Sequence, residues 1–101
     1  MQSIEDSRVR SDLTRAMHLN QISPSLYFRT KVSQGHNWKY ATFRGVMTGA
    51  FCNEAIEIEL IKDGYEKDLI KQQVEKGTYK HERIMSIKAK IEEAKGENGN
   101  G

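Results

Sequence analysis

Three stretches of this chain alternate apolar and polar side chains, and that period of two limits its fold more than any other feature. In 26–32, Leu26, Phe28, Thr30 and Val32 fall on one side, and Tyr27, Arg29 and Lys31 on the other. From Trp38 to Met47, Ala41, Phe43 and Met47 oppose Trp38, Tyr40, Thr42 and Arg44. The cleanest run, Glu54 to Ile61, sets Ile56, Ile58 and Leu60 against Glu57 and Glu59. Ser33-Gln-Gly-His-Asn37 is turn chemistry between the first two runs, and Gly45 and Gly49 suit a bulge and a turn. Three such runs with short links predict an antiparallel meander, packed on one face and wet on the other.

Helical spacing flanks these runs. Ser3-Ile-Glu-Asp6 reads as a capped helix start. Val9, Leu13, Ala16 and Met17 then give a narrow apolar stripe as far as about Leu19. Asn20 to Ser25, holding the only proline, turns the chain. Asp63-Gly-Tyr-Glu66 has the capping-box pattern, and the helix it opens is expected to bury Tyr65, Leu69, Ile70 and Val74 and to stop at Gly77. Thr78 is the expected cap of a last helix carrying Ile84, Ile87, Ile91 and Ala94. That spacing makes a thin seam, which packs on the preceding helix as a hairpin or on a second copy as a homodimer. Ile84, Ile87 and Ile91 are thus the candidate oligomer interface. The expected fold is α+β: an N-terminal helix, a three-stranded antiparallel meander and two C-terminal helices. With 101 residues there is room for one modest core, placed in a single domain over 1–95 and followed by a disordered tail, 96–101.

The stretch Val74-Glu-Lys-Gly77-Thr-Tyr79, following an alternating run and a helix, resembles the inter-helix turn of ribbon-helix-helix antitoxins and repressors. The resemblance covers less than half of the chain. Glu57 and Glu59 stand where that family carries basic or polar groove-reading residues, and His81-Glu-Arg-Ile replaces its Ser-Glu-hydrophobic-Arg helix start. The chain is not assigned to the family on these residues.

Charge is distributed as unevenly as hydropathy. From Leu13 to Cys52 there is no Asp or Glu, while Arg15, Arg29, Lys31, Lys39 and Arg44 are interleaved with Tyr27, Phe28, Trp38, Tyr40, Phe43 and Phe51. The net charge of +2 therefore hides a basic, aromatic middle and an acidic-leaning second half. Cations hold phosphates and aromatic rings stack on bases, so the outer sheet face is the candidate nucleic-acid site: Tyr27, Arg29, Lys31, His36, Trp38, Lys39, Tyr40 and Arg44. Glu57 and Glu59 fall on that same face, and cross-strand pairing with them would neutralise it. Whether they do so separates a nucleic-acid binder from a protein-binding adaptor or inhibitor that uses the aromatic face or the helical seam.

Other chemistries find little support. No apolar run is long enough for a transmembrane span, and the N-terminus lacks the pattern of a signal peptide, so a cytoplasmic protein is expected. The lone Cys52 has no base and orienting partner beside it, and is expected to behave as a small buried apolar residue. His18, His36 and His81 have no metal-ligand spacing. Gly45-Val-Met-Thr-Gly49 lacks the lysine of a phosphate loop. Glu57 and Glu59, about 7 Å apart on a strand, have no further acids around them. The expectation is a non-enzymatic, regulatory accessory protein that takes no cofactor or metal and binds nucleic acid or a protein.

Overall fold

A computed structural model describes residues 11–100, with side chains as far as Lys95; the expected helix start at Ser3–Asp6 lies outside the described residues. Among the described residues six helices follow one another: α1 (Asp12–Leu19), α2 (Pro24–Ser33), α3 (Tyr40–Thr48), α4 (Glu54–Lys62), α5 (Glu66–Lys76) and α6 (His81–Asn100). Among the described residues there is no strand, so the α+β fold and its meander are corrected to an all-helical architecture. The three alternating runs are α2, α3 and α4. The helical backbone of α6 continues through 96–100, where the sequence suggests a tail.

Local capping explains the outcome. The Ser23 hydroxyl accepts the Leu26 amide at 3.1 Å, and Pro24 fills the first helical position, where its missing N–H costs nothing. Asn53 Oδ1 accepts the Ile56 amide at 3.1 Å, with Glu54 and Glu57 in the first turn of α4. Gly49, at φ 82°, ends α3 in the left-handed conformation that glycine adopts without penalty. Gly77 ends α5 in the same way, at φ 77°. Two expected caps are used otherwise. Asp63 ends α4 and turns its carboxylate toward α2, leaving α5 without a side-chain cap. Thr78 buries its hydroxyl beside the Cys52 thiol, three residues before α6 opens.

Helical winding redistributes the side chains. Tyr27 and Lys31, one turn apart on α2, point inward, whereas Leu26 and Val32 are exposed, the reverse of their expected burial. On α4 the buried set is Ile56, Glu57, Glu59 and Leu60, and Ile58 is half-buried. All six helices feed one core: Leu13 and Met17, Tyr27, Phe43 with Val46 and Met47, Ile56 and Leu60, Tyr65 and Leu69, and Ile84. The closest pairings are α1 with α5, and α4 with both α5 and α6. Gln72 adds a polar tie, taking the Leu13 amide on Oε1 (3.3 Å) and donating from Nε2 to the Val46 carbonyl (3.0 Å).

The thin seam of α6 is therefore spent largely inside the chain. Ile84 and Ile87 are buried, α6 packs on α4 rather than forming a simple hairpin with α5, and only Ile91 and Ala94 reach the surface. With Ile56–Ile61 helical, the strand on which the ribbon-helix-helix likeness depends is absent.

Candidate functional site

Glu57 and Glu59 of α4 enter two separate buried networks. Lys31 Nζ lies 2.8 Å from Glu59 Oε1 and 2.8 Å from Asp63 Oδ2, and Tyr27 Oη donates to Asp63 at 2.7 Å. His36 and Lys62 approach Glu59 at 3.6 and 3.5 Å. Burial pushes the Glu59 carboxyl up, but the Lys31 hydrogen bond and charge outweigh it and hold the group below the ordinary carboxylate range. Burial and the Asp63 hydrogen bond both push the Tyr27 hydroxyl well above its ordinary value. Opposite pulls act on Lys31: burial lowers its pKa, and its hydrogen bonds to Asp63 and Glu59 raise it by more, for a net increase.

Glu57, fully buried, accepts Gln73 Nε2 at 2.9 Å and a close contact from Arg83 Nη1. Gln73 also reaches Cys52 Sγ at 3.7 Å. Burial, then the Glu57 charge, raise the Cys52 thiol above its ordinary value. Glu57 and Glu59 thus do not share a face as expected. One serves α5 and α6 and the other serves α2.

The eight candidate nucleic-acid residues are divided between the interior and the surface. Tyr27 and Lys31 are buried and committed to the α2–α4 network. Trp38 is half-buried, its ring stacked 6.0 Å from Phe43 and 5.2 Å from His36, which faces Glu59. The sheet face expected to unite all eight does not exist. Arg29, Lys39, Tyr40 and Arg44 remain on the surface of α2, α3 and the turn between them. Arg29 and Lys39 have no acidic partner among the described residues, and the Arg44 guanidinium lies 5.8 Å from the Tyr40 ring centre. In contrast, Lys62, Lys71, Arg83, Lys88 and Lys90 are all held in ion pairs.

Beside Tyr40 and Arg44 lies a cleft of about 270 Å³, lined by Ser11, Thr14, Ser25, Tyr40, Arg44 and Thr48, with Pro24 and Met47. It gathers the starts of α1 and α2 against the outer side of α3. The Tyr40 ring meets Phe28 edge-on at 5.0 Å, and its hydroxyl stands 3.5 Å from Ser25 Oγ. The Ser25 hydrogen bond, followed by Arg44, holds the Tyr40 hydroxyl below its ordinary value. The nearby Asp12 carboxylate is buried against Arg15 (2.6 Å) and Lys71 (3.5 Å), and the lining contains no acid among the described residues. Thr14, Ser25 and Thr48 escaped the sequence reading, because isolated hydroxyl residues carry no spacing signal. Among the described residues no three His, Cys, Asp or Glu side chains converge to hold a metal ion. No helix among them is long and apolar enough to cross a membrane. No family model, curated protein or solved structure matches the chain.

Proposed function

We propose that the protein is a small, non-catalytic nucleic-acid-binding or regulatory accessory protein whose contact surface is the outer side of α2 and α3. One observation carries this reading: Arg29, Lys39 and Arg44 stand exposed in a stretch without acids, while Glu57 and Glu59 of α4 are turned into the interior. Cations that fold stability does not use are available for phosphates, and Tyr40, 41% exposed, offers a ring beside them. The free Cys52 suits a reducing cytoplasm.

Polarisation titrations against mixed DNA and RNA at two salt concentrations test the reading. Affinity should fall steeply with salt, each neutralised phosphate steepening the log–log slope by about 0.7–0.9. Absence of binding at low salt, or a flat salt response, rejects it.

A second reading, a protein-binding adaptor or inhibitor, has one observation in its favour. Ile58, Ile91 and Ala94 line an open groove of about 250 Å³ between α4 and α6, rimmed by Lys62, Lys90 and Lys95. If nucleic acid fails to bind, that groove becomes the surface to probe with acidic amphipathic peptides.

A further inference from the structure

We infer that the cleft beside Tyr40 and Arg44 seats a terminal phosphate monoester, so that the protein engages a phosphorylated strand end in preference to an internal phosphodiester; the inference rests on the nucleic-acid reading above. Its basis is a proton inventory of the lining. The Ser11 hydroxyl already donates to Thr14 Oγ1 at 3.0 Å, and Thr48 Oγ1 donates to the Gly45 carbonyl at 3.3 Å. Thr14 Oγ1 is the acceptor in its pair, so its own proton remains to be given. In the Ser25–Tyr40 pair one hydroxyl donates to the other, which leaves one proton free whichever way it is oriented.

Arg44 adds a guanidinium with several N–H groups and a full charge, directed over Tyr40 rather than paired with a carboxylate. Three independent donor sources therefore line one cleft that, among the described residues, holds no acid. A phosphate monoester presents three terminal oxygens that share about two negative charges near neutral pH, whereas a diester presents two that share one. The donors match the monoester in number, and the guanidinium matches it in charge. Arg29 and Lys39 lie outside the cleft and serve the remainder of the strand.

The test has two arms. In the first, inorganic phosphate is titrated into the labelled full chain, followed by amide NMR. The expected result is saturable shifts at Thr14, Ser25 and Arg44 that disappear in Arg44→Gln and persist in Lys39→Gln. Shifts that do not saturate, or that survive unchanged in Arg44→Gln, overturn the inference. The second arm compares one oligonucleotide with a 5′-phosphate, a 3′-phosphate or hydroxyl ends. A preference of at least about fivefold for one phosphorylated end, lost in Arg44→Gln, supports the cleft. Equal, salt-dependent affinity for all three overturns it and leaves the nucleic-acid reading standing. Phosphate shifts without affinity for any oligonucleotide reject that broader reading and, with it, the assignment of the cleft to strand ends.

Discussion

The helices α2 and α4 have similar lengths and both read as strands, yet they dispose of charge in opposite ways. α4 sends Glu57 and Glu59 inward, where Arg83, Gln73 and Lys31 satisfy them. α2 sends one cation inward, Lys31, and leaves Arg29 on the surface without an acidic partner among the described residues. A buried ion pair is a poor source of net stability, although breaking one is costly because it strands the surviving charge. The contrast teaches that Glu57 and Glu59 are structural parts, while exposed cations such as Arg29 and Lys39 have no structural employment among the described residues.

The sharpest way to break the comparison is Glu57→Ala. It strands the Gln73 amide and the Arg83 guanidinium and opens a void, so unfolding free energy in urea should drop by about 3–5 kcal/mol. Glu57→Gln keeps the shape and should cost clearly less. If both variants match the wild-type urea midpoint, the Glu57 network is not structural.

Lys31→Met should cost less, about 2 kcal/mol, within the range for hydrogen bonds to charged groups, because Lys62 and His36 remain beside Glu59. A pH series sharpens this point. Glu59 has its folded pKa depressed below the ordinary 4.5, so its contribution is complete above that value. It is then lost as pH falls through the folded value, where the native state must take up a proton. Urea midpoints between pH 6 and 3 should fall for the wild type and flatten for Lys31→Met. Parallel curves would show that Lys31 does not set the Glu59 titration.

Tyr27→Phe removes the donor to Asp63 and keeps the packed ring; a loss of about 1 kcal/mol is expected from thermal melts. The smallest stability effect belongs to the double variant Arg29→Glu with Lys39→Glu, within about 0.5 kcal/mol of wild type. The same variant should abolish binding to nucleic acid at moderate salt. A destabilised double variant would reveal a structural role for these cations, and a stable one that binds normally would move the contact surface elsewhere.

Part of this architecture was legible in the sequence. Leu13 and Met17 at helical spacing, the stop at Gly77 and the apolar positions of α6 correspond to helices observed here. The middle reads as strands for a definite reason. Helical periodicity in α2 and α4 is interrupted by Lys31, Glu57 and Glu59, which are charged and buried, so any pattern that equates charge with solvent finds alternation instead. The competing signals were Ser23-Pro24 and Asn53-Glu54, both helix starts of ordinary type. The acid-free stretch did mark a region of exposed cations, but it drew in Tyr27 and Lys31 because partners 28 to 36 residues away cannot be seen locally. The hydroxyls of the cleft come from three helices and converge only in three dimensions.

Trp38, the only tryptophan, lies where these two economies of charge meet. Its indole is stacked on Phe43 of the core and beside His36, which faces Glu59, and the next residues along the chain are Lys39 and Tyr40. The protein therefore carries its own optical reporter at the junction. A ligand drawn to the exposed cations and a disturbance of the buried network should both register in its emission, with no label attached.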